Sequence, residues 1–234
     1  MITEEISTKK DKPLSKVLFY VKRYRHFAWA LIVAAFITLY LLAEANISYD
    51  KVYISYLPLD DLIPFVPQFV LLYFMWFAMI GFIGFWLLFT DKYAFRRYIW
   101  AITSGLAVSM VFCMIFPSAQ NLRPDLSAQT GVFEKMVFSL YGFDTSTNVL
   151  PSMHVVGMLV AVFAVLDSTL AKHRWFVAMY ITLAVFIVLS TVFIKQHSCL
   201  DIFAAFPFAA ADYVVFYVFV KRRMEKKYAG LPRI

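Results

Sequence analysis

Six apolar runs, residues 27–43, 66–89, 99–116, 153–171, 175–194 and 199–220, dominate this chain of 234 residues. A helix needs about 20 mostly apolar residues to cross the hydrocarbon core of a bilayer, and there the helix satisfies its own backbone donors and acceptors. Hydrophobic residues make up 62% of the chain and charged residues 16%, well outside the usage of soluble domains. The runs therefore predict an all-α polytopic membrane protein with six transmembrane helices. Ala43-Glu44-Ala45 resembles a small-residue cleavage site, but the stretch of 26 residues ahead of the first run is long for a signal n-region, so that run is read as a span.

Charge orients the spans. Of the 22 Lys and Arg, the segments 1–26, 91–98, 171–174 and 221–234 hold all but Lys51, Arg123, Lys135 and Lys195. The cation-rich connections belong on the cytoplasmic side. Both termini are then expected in the cytoplasm, with the loops 44–65 and 117–150 and the 195–198 turn outside, most simply at the plasma membrane. The net charge of +7 is placed where the membrane alone would put it, so lipid headgroups rather than nucleic acid are the expected partners.

No repeat or long linker divides the chain, and a single membrane domain, 1–234, is expected. Two segments are amphipathic and short of a span. Leu14 to Arg25, within the cytoplasmic stretch 1–26, mixes cations with aromatics and suits the inner interface. Val132 to Tyr141 is similar on the outer side and would roof whatever lies there. Cys113 and Cys199 form neither a disulfide framework nor a metal cluster and read as small buried apolar residues. His26 and His173 read as interface residues on the cytoplasmic side. Asp212 lies about 16 Å deeper along its helix than Asp201, which predicts a structural role with a serine or tyrosine partner.

The remaining polar residues converge on the outer side. His154 opens the fourth run and His197 follows the fifth, a separation of one round trip across the bilayer, so both imidazoles return to one face. Asp201 stands four residues after His197 and shares a helix face with it; its carboxylate can hold one ring nitrogen and leave the other as a nucleophile. His154 completes an acid/base pair. Ser152 occupies an N-cap position behind Pro151, and a helix start offers amides and a positive dipole end to an anion. Arg123 adds a guanidinium and Lys195 a point charge.

Arg123-Pro124, then Pro151-Ser152-Met153-His154, then Ser190 followed by His197 and Asp201 resemble the three signatures of the type 2 phosphatidic acid phosphatase superfamily, which includes lipid phosphate phosphatases and vanadium haloperoxidases. The resemblance covers residues 99–220. It implies a six-helix membrane fold with an extracytoplasmic site, a phosphohistidine on His197, His154 as general acid and then base, phosphate contacts from Arg123, Ser152 and Ser190, and no metal or other cofactor. The chain departs from the pattern where Phe116 stands for a lysine, Thr191 for an arginine and Met153 for a glycine. Lys195 replaces at most one of those two cations. The Lys195-Gln196-His197 variant also looks like the branch containing inositol phosphorylceramide synthases.

The expectation is a membrane lipid phosphatase that cleaves a lipid phosphate ester or diphosphate. A phosphodiester carries less charge than a monoester and needs a weaker clamp, so a phosphotransferase moving a phospho-headgroup to a lipid alcohol is the alternative. From another class comes a non-catalytic lipid-binding or transport protein. The sequence carries no signal of oligomeric state.

Overall fold

The computed structural model describes residues 52–128 and 130–227, with 229 and a few positions between 28 and 39. The basic segment 1–26, with His26, and most of the first expected span lie outside the described residues. Among the described residues the regular structure is helical apart from a two-residue parallel pairing of β1 (Tyr53–Ile54) with β2 (Ser118–Ala119).

Four described helices are long and apolar enough to cross a membrane: Pro67–Thr90, Lys92–Ile115, Arg174–Phe193 and Cys199–Lys227. The first contains α1 (Val70–Thr90) and the second is α2 (Lys92–Ile115). Between them stands only Asp91, whose carboxylate accepts from the amides of Tyr93 and Ala94 and caps α2. That cap starts the helix at Lys92, well before the apolar run at 99. Next come α3 (Val132–Phe143), α4 (Met153–Leu166) and α5 (Arg174–Phe193). The last long helix begins as α6 (Cys199–Asp212), continues as a π-helical stretch over Tyr213–Val220 and ends as α7 (Lys221–Lys227).

The helix of the expected fourth span is shorter in the structure than its apolar run. Its run reaches residue 171, but α4 stops at Leu166 after 14 residues, about 21 Å of helix against about 30 Å of hydrocarbon. The break has an electrostatic cause. Asp167, on the C-cap of α4, takes both Arg97 and Lys221 as ion-pair partners, and the Ser168 hydroxyl then caps a separate turn at Leu170. A short helix is tolerable because α4 packs against α1, α2, α5 and α6 and meets protein rather than lipid on most sides. Its small residues allow close approach. At Gly157 an added Cβ would lie 2.8 Å from the Trp76 ring.

The long helices show lipid an apolar exterior, with Phe77, Phe85, Val185 and Phe203 exposed. A continuous surface of this kind is stable in hydrocarbon and not in water, and the protein is membrane-embedded. Ion pairing sorts the two ends. Arg97, Asp167 and Lys221 gather the connections after α1, α4 and the π-helical stretch at one end, while the starts of α4 and α6 meet at the other through the Ser152 amide and the Asp201 carbonyl.

Candidate active site

At that second end the two histidines come together, with ring centroids 5.7 Å apart and the rings edge to face. His154 is the second residue of α4; His197 sits just before α6, on a turn that Lys195 enters with a φ of 54°. The amides of Gln196 and His197 both donate to the Thr191 carbonyl, closing the end of α5.

His197 is buried, and its Nδ1 lies 3.2 Å from Asp201 Oδ2. Asp201 is fully buried and also accepts from the Ser198 amide and the Ser55 hydroxyl. These three donors fix the carboxylate in place beneath the ring. It holds the imidazole through Nδ1, which leaves Nε2 as the available lone pair.

His154 has its own support, from residues the sequence reading did not single out. Its Nδ1 is 3.5 Å from Tyr73 Oη, the two rings pack at 4.4 Å, and the Tyr73 hydroxyl donates to Asp144 Oδ2. Trp76 Nε1 donates to the His154 carbonyl at 2.8 Å. Each imidazole therefore has a carboxylate behind its Nδ1, directly for His197 and through a phenol for His154. α3 contributes by position: Asp144 is its C-cap, and Val137 and Leu140 pack it against Val70, Tyr73 and Ile194.

The expected anion contacts are placed unevenly. The Arg123 guanidinium lies 4.1 Å over the Tyr141 ring and donates to the carbonyls of Tyr141 and Asp144 and, at 2.7 Å, to Gln196 Oε1. Its Nε is buried with no protein partner. Burial lowers this guanidinium below its ordinary value while Tyr141, Asp144 and Tyr73 oppose the shift, and it remains a cation at neutral pH. Ser152 occupies the N-cap of α4, yet its hydroxyl makes no capping bond and is buried without a partner, against the expectation that it caps the helix itself. Lys195 turns its ammonium to the carbonyls of Asp60 and Ile63, at 2.8 and 2.6 Å. Ser190 donates to the Ile187 carbonyl within its own helix. Asp212, at the far end of α6, has the Ser104 hydroxyl at 2.9 Å. Both cysteines are buried, and the Cys113 thiol donates to the carbonyls of Asn148 and Leu150. Among the described residues no three His, Cys, Asp or Glu side chains cluster as metal ligands would.

Asp60 is a further residue without a sequence signal. Its Oδ1 accepts from the Cys199 amide at 2.7 Å, and its Oδ2 accepts from the Ser198 hydroxyl and the Leu57 amide. One carboxylate in the 52–65 loop thus caps α6 and fixes the turn that carries His197. Burial pushes this carboxyl up, but the three hydrogen bonds outweigh it and its pKa falls below the ordinary value. A depressed carboxyl stabilises the fold above its unfolded value, near 3.9, and loses that contribution as pH falls through the folded value. Asp60→Asn should cost about 2 kcal/mol at pH 7, and its deficit against wild type should shrink below about pH 4. Thermal unfolding in detergent at pH 7 and pH 3 checks this; a deficit that is the same at both would reject the carboxylate's role.

No protein-family model matches this chain, and no curated protein matches it.

Proposed function

We propose that this protein is a membrane enzyme that cleaves lipid phosphate esters through a phosphohistidine, and that it belongs with the type 2 phosphatidic acid phosphatases its motifs resemble. The observation that carries this reading is the pair of imidazoles with ring centroids 5.7 Å apart, each with a carboxylate behind Nδ1, directly for His197 and through the Tyr73 hydroxyl for His154. His197 Nε2 attacks phosphorus. The P–O bond to the lipid alcohol breaks as the N–P bond forms, and protonated His154 gives its proton to the departing alkoxide. His154, now neutral, takes a proton from the incoming acceptor, which attacks phosphorus and releases His197. The unpartnered Ser152 hydroxyl and Arg123 Nε, with the first amides of α4, are the donors left for the phosphoryl oxygens. In this reading six helices span, the Lys/Arg-rich end and both termini lie in the cytoplasm, and the histidines face outward at the plasma membrane.

Water as acceptor makes the enzyme a phosphatase. A second reading, transfer of a phospho-headgroup to a lipid alcohol, is favoured by the same cations: Lys195 and most of Arg123 are held by carbonyls and Gln196. That leaves a weak clamp suited to a singly charged diester. Purified protein given labelled lipid phosphate monoesters and diesters, with and without a lipid alcohol, should release inorganic phosphate or a transferred headgroup. Label recovered in neither product would reject both readings.

The Tyr73 hydroxyl should act through His154. A charge-assisted hydrogen bond of this kind is worth about 1.5–3 kcal/mol, so Tyr73→Phe should slow cleavage of an alkyl ester about 10- to 100-fold. It should slow a p-nitrophenyl ester, whose leaving group hardly needs a proton, much less. Equal losses on both substrates would make Tyr73 a packing residue only.

A further inference from the structure

Gln196, the residue before His197, joins three parts of the candidate site through one buried amide. It is 1% exposed. Its Oε1 accepts from Arg123 Nη2 at 2.7 Å, and its Nε2 donates to the carbonyls of Asp144 and Thr145 at 3.1 and 3.2 Å. The neighbours force this orientation, because a flipped amide would set its NH2 against a guanidinium and its oxygen against two carbonyls. The main chain is pinned as well. The Gln196 amide donates to the Thr191 carbonyl, and the Gln120 side chain donates to the Lys195 carbonyl at 2.9 Å.

The consequence falls on Arg123. Its Nη2 carries two hydrogens and meets two acceptors, Gln196 Oε1 and the Asp144 carbonyl, while Nη1 donates to the Tyr141 carbonyl. A guanidinium grips phosphate with a fork of two parallel N–H groups. With Nη2 fully engaged, the buried Nε has neither a protein partner nor a second donor to complete a fork. Lys195 does not make up the difference, since its ammonium is held by the carbonyls of Asp60 and Ile63. One N–H in place of a fork disfavours a dianionic monoester more than a diester, whose single charge is spread over two oxygens.

We infer that Gln196 is the positioning residue that sets which phosphate the site takes: it restrains Arg123 to one open donor and so selects a lipid phosphodiester over a lipid phosphate monoester. This rests on the phosphate site proposed above, and of the two readings given there it supplies the substrate of the transferase.

Binding, measured apart from turnover, tests it. In the His197→Ala background, calorimetry on the purified full chain reads the affinities for dodecyl phosphate, a dianion at pH 8 because its second pKa is about 6, and for methyl dodecyl phosphate, a monoanion. Adding Gln196→Met keeps much of the side-chain volume, removes the acceptor and frees one Nη2 hydrogen. Monoester binding should tighten about tenfold, the scale of one charge-assisted hydrogen bond, with diester binding changed by less than about twofold. Gln196→Asn, one methylene too short to reach Nη2, should shift the ratio in the same direction. Gln120→Met loosens the same turn without touching Arg123 and should leave the ratio as it was. Damage to the turn weakens both ligands alike, so an equal change in both ligands in the Gln196 variants would make the amide a strut and overturn the inference. So would a ratio that Gln120→Met moves as far. A His197→Ala parent that binds neither ligand would instead reject the phosphate site itself, and the inference with it.

Discussion

Replacing His197 with alanine should abolish turnover, by at least about 10⁴-fold, the scale on which enzymes lose a covalent nucleophile. Neither described neighbour can replace it. Asp201 is fully buried and engaged by three donors, and His154 is held from its other side by Tyr73. Rapid acid or base quench of wild type with a labelled lipid phosphate should trap a phosphoryl group that is stable in base and labile in acid, and His197→Ala should trap none. The fold should survive, because Asp201 keeps the Ser198 amide and Ser55 as partners and Asp60 still caps α6. Label recovered on a serine, or substantial turnover in the variant, would sink the mechanism.

The second large effect belongs to His154 and depends on the leaving group. An alkoxide cannot depart without a proton, and general acid catalysis contributes about 10²–10⁴-fold, so His154→Ala should lose that much on an alkyl ester. With a p-nitrophenyl ester the loss should shrink toward what the missing ring contributes to packing against Tyr73 and Trp76. His154→Gln fills the same space without a titratable group and should show the same split. A loss independent of the leaving group would remove His154 from proton transfer and leave it a wall of the site. Tyr73→Phe should follow His154→Ala in the sign of its leaving-group dependence and fall short of it in size, because the phenol orients a proton that the imidazole carries.

Much of this molecule was legible in one dimension. Apolar runs mark α1, α2, α5 and the last long helix, because a segment facing lipid must be apolar over its whole length. The amphipathic stretch at residue 132 is the helix Val132–Phe143, and the four-residue spacing of His197 and Asp201 is a real contact at 3.2 Å, since one helical turn fixes it. The length of α4 was not legible. Hydrophobicity does not distinguish a helix facing lipid from one buried among helices, and Asp167 ends it only because Arg97 and Lys221 arrive from distant segments.

The same division runs through the site. Local spacing and charge bias determined that the helices exist, that two imidazoles share one face and that Asp201 serves one of them. Tertiary structure alone decided what surrounds them. Ser55 reaches Asp201 across 146 residues, Asp60 reaches Ser198 across 138, and Tyr73 reaches Asp144 across 71. No periodicity encodes such pairs, because a buried carboxylate takes its donors from whichever groups the packed helices bring within about 3 Å. Packing likewise turned Lys195 to the carbonyls of Asp60 and Ile63, where the sequence alone had assigned its charge to a phosphate. A charge states what a side chain can bind; the neighbours that the fold brings to it decide what it does bind.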